Sequence, residues 1–297
     1  MNYSRREWNG LMVGSLLTAP FVRLHAAQSS SRIAGVRVGT QSYSFRDRPL
    51  DRVIDGLREV GLSYCELWAG HVELRSMFPE SEGVSRREAK RRWRLNPSTL
   101  DYFKDIRRRF DAAGIELTSY DVEFTEDFTN DEIVRVFELA KALGVSIVTS
   151  SAEVSVAPRV EPAAAKADMR VGFHNHTKIA PNQFVTPDDF ATAMKAGPHM
   201  AITLDIGHFT AANFDALAFL DEHHDHIVSM HIKDSKLGRE AFVPFGEGDA
   251  PLAGVLRRLR DRKWDIPAHI EYEYRGQDTV EEMKRLFGFC RQVLEAK

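Results

Sequence analysis

Past residue 31 the chain repeats one unit: a short β-branched or apolar run, a polar loop, then a stretch with apolar residues at helical spacing. The runs at 36–41, 64–67, 116–120, 146–149, 170–173, 201–205, 227–232 and 266–271 predict strands. The stretches 50–60, 99–113, 131–143, 160–167, 188–196, 214–224, 250–261 and 279–297 predict helices. Several of these stop at a glycine (Gly61, Gly114, Gly144, Gly197), as helix ends do. The fourth, 160–167, is short and Ala-rich. Eight strands each followed by a helix imply a parallel sheet. At this length a single-domain (β/α)8 TIM barrel over 31–297 fits better than an open doubly wound sheet. No Gly-x-Gly-x-x-Gly follows the first strand, which removes the usual support for a dinucleotide site. An Arg- and Glu-rich insertion at 78–95 interrupts the alternation. Charge runs of that kind usually lie on a solvated face; the alternative is a lid over the barrel mouth.

The first 30 residues follow a different pattern. Ser4-Arg5-Arg6 precedes a short apolar stretch from Leu11 to Ala19, then Pro20, small residues at Ala26 and Ala27, and a polar run. A charged region, a short apolar region and a small-residue zone in that order predict a secretory signal rather than an amphipathic first helix. The paired arginines resemble a twin-arginine export signal, which implies a chain folded before export to the periplasm. The apolar run is too short to span a bilayer, which needs about 20 residues, so no stable membrane insertion is expected once the signal is cleaved. Composition changes little else. Of 297 residues, 43% are hydrophobic and 28% charged, and the formal net charge is -3. That balance lacks the basic excess of a nucleic-acid-binding surface. Two cysteines, Cys65 and Cys290, are too few for a disulfide framework.

In a barrel the chemistry sits at the carboxyl ends of the strands, and there the unusual residues gather. The second strand runs into Glu66-Leu67-Trp68 and His71, and the fourth is followed by Ser150-Ser151-Ala152-Glu153. The fifth ends Phe173-His174-Asn175-His176, the sixth Asp205-Ile206-Gly207-His208, the seventh His231-Ile232-Lys233-Asp234, and the eighth Glu271-Tyr272-Glu273. Alternation puts His174 and His176 on one face of their strand. Asp205, His231 and Glu271 end three successive strands, and one imidazole with two or three carboxylates suits Mn²⁺, Mg²⁺, Zn²⁺ or Co²⁺. Each residue alone has a plainer role, as a surface histidine, a helix cap or a salt-bridged carboxylate. Co-location at one barrel mouth is what marks a site.

The segments Gly39-Thr40-Gln41-Ser42-Tyr43-Ser44-Phe45-Arg46, Cys65-Glu66-Leu67-Trp68, Gly172-Phe173-His174-Asn175-His176, Leu204-Asp205-Ile206-Gly207-His208, His231-Ile232-Lys233-Asp234, Gly246-Glu247-Gly248 and Ile270-Glu271 occur in an order and spacing that resembles the sugar phosphate isomerase/epimerase family of xylose-isomerase-like barrels. The resemblance runs from Gly35 to the carboxyl end. It implies a divalent metal held by Glu, Asp, His and Glu, of which Asp205, His231 and Glu271 carry over by position. Where ketose epimerases have Glu-Asn at the fifth strand end, this chain has His174-Asn175, so His174 or Glu153 is the candidate fourth ligand. The His-Asn-His variant resembles the inosose-dehydratase-like and 3-keto-glycoside lyase branches.

A metal there would bind a sugar carbonyl and an adjacent hydroxyl and stabilise the enediolate left when a carbon-bound proton departs. His176, His174 and Glu271 are the candidate bases. Lys233, His208, His71 and Glu66 are candidate contacts to substrate oxygens, and Trp68, with Phe45, a platform for a sugar ring. Return of the proton gives a sugar isomerase or epimerase; loss of a β-oxygen substituent gives a lyase or dehydratase. A non-catalytic carbohydrate-binding barrel is the third expectation. Barrels of this type often pair, which leaves a homodimer open.

Overall fold

The computed structural model describes residues 30–80, 83–239 and 241–296. The proposed export signal lies outside the described residues. Eight parallel strands close into a barrel: β1 (Val36–Gln41), β2 (Tyr64–Trp68), β3 (Glu116–Asp121), β4 (Ile147–Ser150), β5 (Arg170–His174), β6 (Met200–Asp205), β7 (Ile227–Ile232) and β8 (Ala268–Ile270). Closure comes from β1, which pairs with β8 through Val38 and Ala268 and with β2 through Thr40 and Cys65. A two-residue strand, Arg32–Ile33, runs antiparallel to β1.

The helices are α1 (Leu50–Val60), α2 (Arg86–Leu95), α3 (Thr99–Ala112), α4 (Asn130–Leu143), α5 (Ala157–Ala167), α6 (Pro187–Met194), α7 (Ile206–Ala211), α8 (Ala216–His223), α9 (Leu252–Arg262) and α10 (Thr279–Glu295). Each large helix buries one apolar stripe, as in α1, where Val53, Ile54, Leu57 and Val60 pack inward and Gly61 closes the helix in the left-handed region. Thr129 and Glu132 form a capping box that starts α4. Among the described residues no helix is long and apolar enough to cross a membrane.

Three departures from the sequence pattern bear on the site. Strand β3 extends one residue further than its apolar run, to Asp121, and β8 stops at Ile270, so Glu271 starts the loop. A short hairpin, Asp234–Ser235 with Phe242–Val243, follows β7 and carries Phe242 over the mouth. The insertion is a docked helix rather than a solvated excursion. Ser85 caps α2 by accepting from the Glu88 N–H, and Arg94 is buried against Glu73.

The barrel interior is polar below the mouth, where aliphatic layers are the norm. His269 is fully buried, with Nε2 2.9 Å from Thr118 Oγ1 and Nδ1 2.9 Å from Ser229 Oγ. Gly39 makes room for it, since a Cβ there would lie 2.9 Å from His269 Cδ2 and 2.6 Å from the Tyr64 carbonyl oxygen.

Candidate active site

Four strand ends meet at one point. His174 closes β5, Asp205 closes β6, His231 lies on β7, and Glu271 follows β8. One ligand atom from each lies within 4.8 Å of the other three, and all four residues are buried. Ligands about 2.1 Å from one ion lie at most about 4.2 Å apart. A modest inward shift therefore makes a coordination sphere of these donors.

A buried carboxylate sets the histidine's tautomer. Glu66 is 0% exposed. Its Oε1 lies 2.8 Å from His231 Nε2, while Oε2 accepts from Ser119 Oγ at 2.9 Å and from Ser229 Oγ at 3.2 Å. With Nε2–H committed to Glu66, Nδ1 is the ring atom that faces the cluster and would give its lone pair to a metal there. Nδ1 lies 2.9 Å from Glu271 Oε2, and Lys233 Nζ stands 3.1 Å from the same oxygen. An imidazole and three carboxyl- or imidazole-bearing neighbours buried at one point make a donor set that fits a divalent metal. Burial alone would lower the His231 imidazole, but Glu66 and Glu271 hold it well above its ordinary value. The same two carboxylates that draw a proton to the ring would draw a metal.

The second charge in the site is Lys233, whose side chain is 2% exposed. Its Nζ stands 3.1 Å from Asp205 Oδ2, 3.1 Å from Glu271 Oε2 and 2.5 Å from Glu273 Oε2, and 4.7 Å from the centre of the Phe242 ring. Burial would raise Glu271, but Lys233 and His231 bring it down to about 2. Asp205 also stays ionised, held well below its usual range against its burial by Lys233 and His208. Its Oδ1 accepts the His208 N–H at 2.7 Å and so caps α7, while its backbone is clamped by the Asn175 amide.

The cluster opens into a cavity of about 290 Å³ that also takes in Glu66, Trp68, His176, His208, Phe242 and Glu273. His176 and His208 are pushed down by burial, His176 to about 4, so both rings are neutral at pH 7 and can accept a proton. Thr177 Oγ1 holds His208 Nδ1 at 2.7 Å.

The structure thus gathers Asp205, His231, Glu271, His174, His176, His208, Lys233, Glu66 and Trp68. It does not bring in Glu153, which stands three residues past β4 with Oε2 accepting the Glu126 N–H. Nor does it bring in His71, whose Nε2 is tied to the Ser42 carbonyl at 2.9 Å and whose ring meets the edge of Trp68. Of the two candidate fourth ligands, His174 is the one in the cluster. Phe45 is fully buried and does not line the mouth.

Sequence reasoning passed over Asp121 and Gln41. Gln41 Nε2 donates to Asp121 Oδ2 at 2.7 Å, and both residues line the cavity. Burial and the nearby Glu66 carboxylate push Asp121 well above the carboxylate range. The signal available was a carboxylate one residue beyond the third apolar run.

Glu66→Gln is expected to weaken divalent-metal affinity by roughly 10- to 100-fold, the usual effect of removing a carboxylate that orients a ligating histidine. A Co²⁺ titration followed by absorbance checks this; an unchanged affinity would mean that Glu66 does not set the tautomer.

A family model for xylose isomerase-like TIM barrels matches residues 54–292. No curated protein sequence matches. Among solved structures, the chain is similar to a probable 3-DHS dehydratase involved in petrobactin synthesis from Bacillus anthracis, with 15% identity, TM-score 0.63, and 85% of this chain and 98% of that one covered. It is similar to a sugar phosphate isomerase/epimerase from Parabacteroides distasonis, with 15% identity, TM-score 0.59, and 86% and 95% covered. A D-tagatose 3-epimerase-like protein gives 15% identity, TM-score 0.62, and 87% and 98% covered. At such identities the likeness shows the fold.

Proposed function

The chain belongs to the xylose isomerase-like TIM barrel family, and from that premise we propose that it is a divalent-metal-dependent sugar isomerase or epimerase. The observation that carries the proposal is the buried convergence of one ligand atom each from His174, Asp205, His231 and Glu271 within 4.8 Å of one another, at the base of a cavity lined by proton acceptors on two sides. The metal would be held by His174, Asp205, His231 and Glu271. As a Lewis acid it would stabilise the oxyanion that forms when a proton leaves the carbon next to a carbonyl.

The rest is done by the chain's own groups. Glu271, from the end of β8, is ionised, and His176, from the end of β5, is a neutral imidazole; each is in the form that accepts a proton. Standing on different strands of the mouth, they can remove a proton from one side of a carbon and return it from another. Lys233 holds Asp205, Glu271 and Glu273 in place and offsets part of their charge. The names of two structural relatives, a sugar phosphate isomerase/epimerase and a D-tagatose 3-epimerase-like protein, support a small polyhydroxylated carbonyl substrate. The reading keeps the exported, periplasmic location proposed from Arg5-Arg6.

One observation favours a second outcome, elimination. Burial and the Glu66 carboxylate raise the Asp121 carboxyl well above its ordinary value at the mouth, and one of its oxygens is occupied by Gln41. A carboxyl whose pKa is raised is the kind of group that can give a proton to a departing β-oxygen, the step a dehydratase or lyase needs. Incubating the Mn²⁺-loaded protein with ketohexoses and with a 3-keto-glucoside in deuterated water separates the outcomes. Deuterium at the carbon next to the carbonyl, with an epimer or isomer formed, is the expected result, and His176→Gln should slow the exchange by about 10²- to 10⁴-fold. Release of the aglycone without an epimer would replace the isomerase reading with the lyase one. No exchange and no release would overturn both.

A further inference from the structure

A second cavity, also of about 290 Å³, lies beside the mouth, and Trp68 lines both. Its other walls include Arg87 and Lys90 from the inserted helix α2, and Glu123, Thr125 and Asp127 from the loop after β3. We propose that this cavity binds a second, neutral sugar unit, so that the substrate class is a disaccharide or glycoside with its reacting ring at the metal cluster. The proposal rests on reading the mouth as a sugar site.

The dividing indole is held by design of the backbone. A Cβ on Gly70 would lie 2.2 Å from the Trp68 ring, so only glycine lets the indole fold back over the chain at this point. Tyr43 and His71 hold the ring by edge contacts, at centroid distances of 4.9 and 5.3 Å. An amphipathic aromatic side chain fixed between two polar cavities suits a pair of linked rings. Each cavity alone sits near the lower end of ligand-pocket volumes, about 300–1,000 Å³, while the two together fall well inside that range.

The electrostatics select a neutral partner over a phosphate. Arg87 already meets Glu132 at 2.6 Å and Asp127 at 2.7 Å, and Lys90 meets Glu73 at 2.7 Å. The adjoining Arg94 is bound to Glu73 at 2.5 Å. With its cations matched by carboxylates, the cavity has no surplus positive charge for an anion. Hydroxyl groups, which both donate and accept, can bond to the remaining N–H and carboxylate lone pairs without breaking those pairs.

The test measures binding, not turnover. The full Mn²⁺-loaded protein is titrated, with ligand-observed NMR as the readout, against glucose, glucose 6-phosphate and a panel of glucose disaccharides of differing linkage. The expected result is at least one disaccharide binding about tenfold or more tightly than glucose. Lys90→Ala and, independently, Gly70→Ala should each shrink that ratio to within about twofold. Lys90 is half-buried on the outer helix, so the first variant tests the cavity without moving the Trp68 ring, which the second displaces. The proposal is overturned if no disaccharide in the panel binds more tightly than glucose, if the preference survives both variants, or if glucose 6-phosphate binds best. Deuterium exchange with a flat disaccharide-to-glucose ratio would sink this proposal alone, whereas a disaccharide preference without exchange would sink only the isomerase reading.

Discussion

Asp205→Asn is expected to leave a folded barrel that no longer retains the proposed divalent metal and exchanges substrate deuterium at least about 10³-fold more slowly. The magnitude follows because Lewis-acid stabilisation supplies several kcal/mol of the barrier, and each 1.36 kcal/mol is about tenfold in rate. The amide is chosen over alanine because Asp205 does two jobs. Its Oδ1 caps α7 through the His208 N–H, a bond the asparagine oxygen can still accept. Its Oδ2 faces the cluster, 3.4 Å from His174 Nε2 and 3.1 Å from Lys233 Nζ, and there the negative charge is what counts. Removing it leaves Lys233 with two carboxylates in place of three and leaves the cluster one anionic donor short. Metal content by elemental analysis, together with circular dichroism, separates loss of the ion from loss of the fold. A variant that keeps both its metal and its exchange rate would show that the ion, if any, binds elsewhere.

How much of this was legible beforehand depends on how far each feature reaches along the chain. The strands were legible because each is a run of three to six residues whose apolar pattern is local. The residues of the cluster were legible because a barrel places every strand end at the same mouth, so strand position alone predicts convergence. Their partnerships were not. Glu66 reads from sequence as a substrate contact. Its bond to His231 spans 165 positions and exists only once β2 and β7 face the same interior. Gln41 and Asp121 are 80 positions apart, and the one-residue extension of β3 that brings them together is not encoded in the apolar run that predicts the strand. The helix α2 misleads for another reason. Its charge run does look solvated, because nothing local shows that Arg94 is buried while Arg92, two residues before it, is exposed. The carboxylate that allows this, Glu73, lies on the other side of the insertion. Resemblance placed Glu or its substitute at the fifth strand end, but only geometry separates His174, inside the cluster, from Glu153, tied to the Glu126 backbone.

Arg94→Leu is expected to cost about 3–5 kcal/mol, the usual result of stranding a buried charge by removing its partner. Arg94 and Glu73 are 2% and 0% exposed in their side chains and meet through two hydrogen bonds, at 2.9 and 2.5 Å. Tyr120 adds a third bond to Glu73, and Lys90 a second cation. The guanidinium also lies 4.7 Å from the Phe128 ring, so leucine loses a packing contact as well as a charge. For a chain of this size the loss corresponds to a fall in Tm of roughly 10 °C. A double variant, Glu73→Leu with Arg94→Leu, should recover more than half of it, because what costs is the buried carboxylate left without its buried guanidinium and not the absence of the pair. Thermal denaturation of the two single variants and the double completes the cycle; strictly additive losses would show that the pair is not coupled. The site should respond as well. Glu73 anchors both Lys90 and Arg94, so loosening it frees α2 from the barrel and with it two walls of the second cavity. At temperatures where the Arg94 variant is still folded, its disaccharide preference should therefore fall before its exchange rate does, since the metal cluster stands on β5 to β8 and owes nothing to α2.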